Sequence, residues 1–189
     1  MASTVNISLF VSLLLVLTVT LLLSSSPVHC KSVDEDRLLQ GINNYRLAQK
    51  LPVLKENDEA DCLADEIADS LENHPCSRPV STNFADYQKQ LNKCKVDINS
   101  TRDAVILPAC VPHLVSTQVL ANYTQNPPIT RSLNDTKYAN IGLGSEDDWM
   151  VVVLSTTTPT GSLANAAGRR LVASIGVLGL LAIQLLLLA

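Results

Sequence analysis

Two uncharged apolar runs lie near the ends of the 189-residue chain, and helix-like and strand-like patterns lie between them. The first run, residues 9–23, would form about 22 Å of helix, which is shorter than the roughly 30 Å core of a bilayer. Val28 and Cys30 then supply small residues ahead of the first basic residue, Lys31. A short apolar run before a small-residue cleavage site is typical of a secretory signal peptide, so we predict a signal over residues 1–30.

The second run, residues 171–189, is long enough to cross a membrane, but no charged residue follows it. Arg169 and Arg170 precede it, so a spanning helix would put its basic flank outside the cell, against the usual distribution. A small-residue triplet (Asn165 and the next two alanines), a short polar spacer and a terminal apolar run instead form a signal for a glycosylphosphatidylinositol (GPI) anchor. We predict attachment at Asn165, with Ser162 and Ala164 as alternatives, and removal of residues 166–189.

The first part of the intervening chain has the periodicity of two helices. Ser32 and Glu35 have the spacing of a capping box, and apolar residues recur at helical intervals over the following turns. Pro52 interrupts this pattern, because proline removes a helical hydrogen bond. A second apolar stripe over residues 58–71, with acidic residues on the opposite face, predicts another helix.

The pattern is weaker over residues 76–130, where we predict only a short helix at 84–93 and another after His113. Residues 137–144 and 149–156 are rich in strand-forming residues and are separated by four polar residues, which indicates a β-hairpin. The second of these runs is almost wholly apolar, which predicts a central strand that is buried on both faces. We expect a single α+β domain over residues 31–154, followed by a short polar stalk over 155–165.

The charge of the mature region excludes some classes of partner. It holds all 18 acidic residues of the chain and all of its 14 basic residues except Arg169 and Arg170, which gives a net charge of about −6. Nucleic acids and anionic lipids require a basic surface, so neither is an expected partner.

Four cysteines remain after signal removal, and an even number suits an oxidising compartment. They are Cys62, Cys76, Cys94 and Cys110, and they allow three pairings. A helix over 58–71 disfavours the pairing of Cys62 with Cys76, because the short link would have to double back nearly fully extended. Of the two remaining pairings we favour Cys62–Cys110 with Cys76–Cys94.

Three sequons for N-glycosylation lie in the second half of the chain, at Asn99, Asn122 and Asn134. None has proline in the middle position, and each lies in a polar stretch that is typical of a surface. We expect at least two of them to carry glycan.

The segment 38–69 and the hairpin segment resemble the cysteine-rich secretory and pathogenesis-related superfamily, known as CAP. The matching positions in the first segment are Leu39, Asn43, Tyr45, Arg46, Leu51, Pro52, Leu54, Leu63, Ala64 and Ala68. The resemblance implies an α-β-α sandwich with helices at its amino-terminal end, a carboxy-terminal hairpin and, with the four cysteines, two disulfides. The two histidine motifs of that family's cavity are absent, and His74 and His113 lie in no such motif.

The layout of the whole chain also resembles a group of small plant GPI-anchored proteins of uncharacterised function. No nucleophile elbow, zinc motif or phosphate-binding glycine loop occurs, so we predict no catalytic residue, no metal ligand and no cofactor. Asp147 and Asp148, in the predicted turn, are expected to face water. We therefore expect a non-enzymatic binding or structural module on the outer face of the plant plasma membrane, with a cell-wall component, a lipid or an extracellular protein as ligand. The alternative is a CAP-like hydrolase or metal-dependent enzyme with a non-standard site.

Overall fold

The computed structural model describes residues 32–77 and 86–164, which place helices on both faces of one mixed β-sheet. In chain order the elements are α1 (Val33–Ala48), β1 (Lys55–Glu56), α2 (Asp58–Leu71), α3 (Tyr87–Lys93), β2 (Val105–Cys110), α4 (Ser116–Gln125), α5 (Pro127–Leu133), β3 (Asn140–Glu146) and β4 (Trp149–Ser155). Two short 3-10 turns, Ile98–Ser100 and Pro112–Leu114, lie before and after β2.

The sheet has the strand order β1-β3-β4-β2, with β1 parallel to β3 and the other neighbours antiparallel. Strand β4 lies between β3 and β2, and all seven of its residues are buried. The predicted hairpin and its central, doubly buried second strand are therefore confirmed. Asp147 and Asp148 form the turn, and Asp147 adopts a positive φ of 49° there.

Two hydrophobic clusters fill the spaces on either side of the sheet. One packs β3 and β4 against α1, α4 and α5, and it includes Ile42, Tyr123 and Leu133. The other packs β4 against α2 and α3, and it includes Leu63 and Ile67. The α-β-α sandwich that the CAP resemblance implies is confirmed.

Helix α2 packs directly on strand β3 because β3 carries glycine on the face toward that helix. A methyl group added at Gly142 would lie 2.0 Å from the carbonyl carbon of Ala60, and one added at Gly144 would lie 2.2 Å from the backbone nitrogen of Asp65. Neither position can hold a side chain without moving the helix away. The close layer spacing therefore explains the alternating glycines of the sequence "IGLG".

The predicted helix boundaries in the first half are confirmed by their caps. Ser32 and Glu35 form a complete capping box, and Asn57 accepts a hydrogen bond from the backbone nitrogen of Ala60 at the start of α2. Helix α1 ends at Ala48, four residues before Pro52.

Strand β2 and helix α5 were not predicted, since each contains proline. Pro108 lies within β2, where it is tolerated because β2 is an edge strand that pairs only with β4 in the described sheet. Pro127 and Pro128 occupy the first turn of α5, where the missing N–H would have no helical partner. The helix predicted after His113 is present as α4.

The polar stalk predicted over residues 155–165 is wrong as far as the structure describes it, because these residues fold back on the domain. Ser155 ends β4 and is fully buried, and Thr156 is also buried. The backbone nitrogen of Thr156 donates to the Gly161 carbonyl (2.8 Å), and that of Asp103 donates to the Thr160 carbonyl (3.0 Å). A tight loop follows β4 in place of an extended linker.

The end of this loop enters the second hydrophobic cluster. Leu163 is fully buried in it, and its backbone nitrogen donates to the Ser100 carbonyl (3.2 Å). The Ala164 carbonyl accepts hydrogen bonds from the Ser100 hydroxyl (2.9 Å) and from the backbone nitrogen of Asp97 (3.3 Å). The folded domain therefore extends to Ala164.

The two disulfides join Cys62 to Cys94 and Cys76 to Cys110. The favoured pairing, Cys62–Cys110 with Cys76–Cys94, is wrong, whereas the argument that disfavours Cys62–Cys76 is confirmed. The physical reason is the layer order: Cys62 on α2 faces the neighbouring helix α3, and Cys94 directly follows the last residue of that helix. The cysteine beyond the end of α2 reaches the last residue of β2 instead.

None of the helices within 32–77 and 86–164 is both long and apolar enough to span a bilayer. The predicted signal, Asn165 and the predicted propeptide 166–189 lie outside the described residues.

Candidate functional site

A cleft of about 490 Å³ opens beside the turn between β3 and β4, at one end of the sheet. One wall is the chain that leaves α2, the opposite wall is the turn after β2, and the hairpin turn lies between them. Its lining residues are Glu72, Asn73, His74, Pro75, Cys76, His113, Asp147, Asp148 and Trp149.

The first wall is fixed to the sheet by one disulfide and one side chain. The disulfide Cys76–Cys110 joins the chain after α2 to the end of β2. Trp149, the only tryptophan of the chain, donates from its indole nitrogen to the His74 carbonyl (2.8 Å). The indole and imidazole rings lie 6.0 Å apart between centroids. Trp149 is only 4% exposed, so it supports the wall and offers little surface to a ligand.

The second wall depends on Asp148. Its carboxylate accepts a hydrogen bond from the backbone nitrogen of His113 (2.7 Å), and its carbonyl accepts one from the backbone nitrogen of Val111 (2.8 Å). His113 and Leu114 both have positive φ, 57° and 44°, which is unusual for residues with bulky side chains. Asp147 is exposed, as expected. Asp148 is half-buried, and its side chain also holds this turn.

The cleft is acidic. Glu72, Asp147 and Asp148 line it, and Glu146 lies beside it at the end of β3. Burial raises the pKa of Glu146, and the nearby carboxylates of Asp69, Glu72 and Asp147 raise it further. Mutual repulsion of this kind is relieved by a bound positive charge.

His74 and His113, which lie in neither cavity motif of the CAP family, both line this cleft. The Nε2 atom of His74 is buried and has no hydrogen-bond partner among the described residues. Neither imidazole is hydrogen-bonded to a carboxylate within the described ranges. The same part of the chain contains no group of three or more His, Cys, Asp or Glu side chains placed to bind a metal.

Another buried polar side chain, that of Arg46 on α1, has a structural role. It is fully buried, its Nε donates to the Pro52 carbonyl (2.8 Å), and its Nη1 donates to the Leu133 carbonyl. Burial lowers the pKa of Arg46, while the carboxylate of Asp135 opposes this change. Arg46 thus ties the chain after α1 to the end of α5, and it forms no part of the cleft.

The three predicted glycosylation sites differ in exposure. Asn99 and Asn134 are exposed, whereas Asn122 is half-buried in the middle of α4. Asn99 adjoins Ser100, which contacts the end of the described chain. Asn134 lies shortly before Ala139, and the backbone nitrogen of Ala139 donates to the Ser155 carbonyl (3.1 Å). Both exposed sequons therefore lie toward the end of the sheet opposite the cleft. Their occupancy stays a prediction.

The family described as "Uncharacterized GPI-anchored protein At5g19230-like domain" matches residues 35–154 of the chain. The "Uncharacterized GPI-anchored protein At3g06035" of Arabidopsis thaliana is 47% identical over 162 residues, which cover 82% of this chain and 80% of that protein. The resemblance to such proteins noted in the sequence is confirmed.

Among solved structures, an extracellular protein containing an SCP domain from Bacillus anthracis str. Ames matches with a TM-score of 0.54 at 15% identity. The match covers 69% of this chain but only 44% of the bacterial one. An outer surface protein from Borrelia burgdorferi matches with a TM-score of 0.49 at 18% identity, covering 69% of this chain and 93% of that chain. At 15% identity, the first match shows a shared SCP-type fold and nothing about activity.

Proposed function

Because the chain belongs to the family of the uncharacterized GPI-anchored At5g19230-like proteins, we propose that it is a non-enzymatic binding module, held on the outside of the cell by a GPI anchor. The cleft beside the hairpin turn is its binding surface. The ligand is a positively charged segment of an extracellular protein.

The charge of the cleft is the observation that carries this proposal. Three carboxylates line it, and the described residues that line it include no lysine or arginine. An anionic lipid headgroup or an acidic wall polysaccharide would add further negative charge, whereas a basic peptide segment would neutralise the site. Burial raises the pKa of Glu146 and the neighbouring carboxylates raise it further, so a bound cation would relieve the second of these two effects.

The position of the cleft also suits a partner in the extracellular space. Strand β4 begins at Trp149 in the cleft and ends at Ser155, and seven residues of strand span roughly 20 Å. Ala164, the last residue that the structure describes, lies beside Asp97 at the far end of the sheet. An anchor that follows Ala164 would leave the cleft facing away from the membrane.

Two histidines in one cleft beside carboxylates favour a second candidate, a hydrolase. General-base catalysis needs an imidazole held by a partner that sets its orientation. Here the Asp148 carboxylate accepts a backbone N–H from His113, so it orients the turn and leaves the ring without that partner. We therefore place binding ahead of hydrolysis. Hydrolysis of p-nitrophenyl acetate that is lost in His74→Gln would favour the enzyme instead.

The test of binding uses protein released from cells by phosphatidylinositol-specific phospholipase C and titrated with an octalysine peptide. The fluorescence of Trp149, which lines the cleft, serves as the signal. We expect binding that weakens with salt, because exposed charge pairs are screened. Glu72→Gln combined with Asp147→Asn should weaken it about tenfold, from roughly 0.7 kcal/mol for each exposed pair.

The matched control is Asp58→Asn combined with Glu59→Gln, which changes the net charge equally at the other end of α2. Fourteen residues of helix separate the two pairs by about 20 Å. Equal loss of octalysine binding in both double variants would mean that only net charge matters, and the cleft would then not be the binding surface. Binding of octaglutamate in place of octalysine would reverse the proposed ligand charge.

A further inference from the structure

We infer that the disulfide Cys76–Cys110 is a reducible closure of the acidic cleft, and that it is opened by a small, positively charged thiol that attacks the Sγ atom of Cys76. Reduction frees one wall of the cleft and weakens the binding of a basic segment. The effect on binding rests on the proposed function, whereas the place and the charge preference of the reduction do not.

The two disulfides differ in their surroundings and not in the loops that they close. Their sequence separations are 32 and 34 residues, so chain entropy, which depends on the logarithm of loop length, favours neither. Cys94 is buried in the second hydrophobic cluster with Cys62 packed against that cluster, whereas Cys76 is exposed and lines the cleft. A thiol from solvent therefore reaches Cys76–Cys110 first.

Access also decides which sulfur is attacked. Cys110 is half-buried against the second hydrophobic cluster, so the incoming thiolate meets the Sγ atom of Cys76. A bond forms between the thiol sulfur and Cys76, the bond to Cys110 breaks, and the Cys110 sulfur leaves as a thiolate that takes a proton from water. A second thiol displaces the first from Cys76, so the two thiols become one disulfide and both cysteines are reduced.

The carboxylates of the cleft select the thiol by its charge. Glu72, Asp147 and Asp148 line the same cleft as Cys76, and the described lining residues include no lysine or arginine. This negative potential repels an anionic thiol, whereas it attracts an ammonium group and raises the concentration of a cationic thiol near Cys76.

The disulfide holds the first wall of the cleft, residues 72–77, against the sheet. The wall is also joined to the sheet by the hydrogen bond from the Trp149 indole to the His74 carbonyl (2.8 Å) and by the contact between the two rings. Of these links only the disulfide is covalent, so its reduction leaves the wall on one hydrogen bond and one ring contact.

Repulsion between the wall and the sheet opposes the closed arrangement. Burial raises the pKa of Glu146 at the end of β3, and the carboxylates of Asp69, Glu72 and Asp147 raise it further. Glu72 belongs to the wall, whereas Glu146 and Asp147 belong to the hairpin. This repulsion persists when the disulfide is reduced, so it drives the freed wall outward.

The second wall does not depend on the disulfide. Its turn is held by the hydrogen bonds that Asp148 accepts from the backbone nitrogens of Val111 (2.8 Å) and His113 (2.7 Å). Reduction therefore moves Glu72 away from the carboxylates of the hairpin turn, and the three no longer act together on a basic segment.

The charge preference is measured as the ratio of two reduction rates, with cysteamine as the cationic thiol and mercaptoethanesulfonate as the anionic one. Protein released by the phospholipase is treated with each thiol at equal thiolate concentration, quenched with acid and alkylated with N-ethylmaleimide. Digestion after glutamate separates Cys62 from Cys76 for mass spectrometry. We expect Cys76 and Cys110 to be alkylated before Cys62 and Cys94. The rate ratio should fall as salt rises from about 0.01 M to about 1 M, because the screening length falls from about 30 Å to about 3 Å.

Comparison of the same ratio between variants cancels the intrinsic reactivities of the two thiols. Glu72→Gln combined with Asp147→Asn should lower the ratio about fivefold, since two exposed carboxylates are removed. The matched control, Asp58→Asn combined with Glu59→Gln at the other end of α2, should leave it unchanged.

Three results would overturn the place or the charge preference of the reduction. One is an equal ratio in the two double variants. Another is reduction of Cys62–Cys94 before Cys76–Cys110. The third is an early cysteamine adduct on Cys110 in place of Cys76.

The effect on the cleft is measured with octalysine, on protein in which Cys76 and Cys110 have been reduced and capped with iodoacetamide while Cys62–Cys94 is intact. We expect binding about tenfold weaker than that of the oxidised protein, as for removal of two of its carboxylates. Cys76→Ser combined with Cys110→Ser lacks the bond without any cap and should bind as weakly. Circular dichroism verifies that each protein is folded.

Unchanged octalysine binding by the capped, folded protein would overturn the closure of the cleft by this disulfide. Failure of the oxidised protein to bind octalysine would instead refute the proposed function. The mass spectra would still decide where the reduction occurs and which thiol charge it prefers.

Discussion

The fold of the segment after β4 can be tested by shortening one side chain, Leu163. The side chain is fully buried in the cluster formed by α2, α3 and β4. Replacement by alanine removes three carbons and leaves a cavity, because the surrounding helices and sheet can relax only partly. Leucine-to-alanine changes at fully buried sites cost about 3–5 kcal/mol.

For a folded domain of about 130 residues, each kcal/mol lowers the melting temperature by roughly 4 °C, so Leu163→Ala should lower it by about 12–20 °C. The backbone hydrogen bond from residue 163 to the Ser100 carbonyl remains in the variant. The measured change therefore reports the packing of the side chain alone.

The assay is thermal unfolding followed by circular dichroism, on protein released from cells by the phospholipase. Thr157→Ala is the matched control, because Thr157 lies in the same loop and is exposed. Exposed substitutions of this kind change stability by about 0.5 kcal/mol or less, which corresponds to roughly 2 °C. If the two variants melted within about 2 °C of each other, residues 156–164 would be a free stalk and not part of the folded domain.

Three further outcomes follow from the contacts described above. Gly142→Ala should prevent secretion of folded protein, because the new methyl group would lie 2.0 Å from the carbonyl carbon of Ala60. Immunoblots of the medium and of the cell surface measure secretion, and a normal level would contradict the close packing of α2 on β3. Glu146→Gln should raise the melting temperature at pH 7, because the raised pKa of Glu146 means that its ionised form destabilises the folded state. The variant should lose this advantage as pH falls below the ordinary carboxyl range, where Glu146 is protonated and the cost disappears. A variant with a lower melting temperature than the parent at pH 7 would contradict this prediction. Limited treatment with dithiothreitol should reduce Cys76–Cys110 before the other disulfide, because Cys76 is exposed, and mass spectrometry of alkylated peptides would show the order.

The sequence predicted those elements whose stability is local or periodic. Helix α1 has a capping box at Ser32, and α2 has an asparagine cap and a continuous apolar face. The hairpin has two strand-forming runs and a polar turn. In each case the residues that determine the element lie within it, so a pattern in the chain is sufficient.

The elements that were missed depend on tertiary position. Whether Pro108 can lie in a strand depends on whether that strand is at the edge of the sheet, and the chain does not record strand order. The threonine-rich loop after β4 has the composition of a linker, yet Leu163 at its end enters a site formed by three other elements. A single apolar residue in a polar segment gives no periodicity, so the sequence provided no signal for this packing.

One missing fact, the position of strand β2, explains the missed strand, the wrong disulfide pairing and the overlooked cleft. Helix geometry disfavours only one of the three pairings. A choice between the other two requires knowing that β2 ends at Cys110 beside the chain that leaves α2. With Cys76 paired to Cys110, His74 lies two residues before one half-cystine and His113 lies three residues after the other. That proximity in sequence brings both imidazoles to the hairpin turn and forms the two walls of the cleft. All residues of the candidate site can be read from the sequence. Their proximity follows only from the Cys76–Cys110 disulfide, which joins two segments that are distant in the chain.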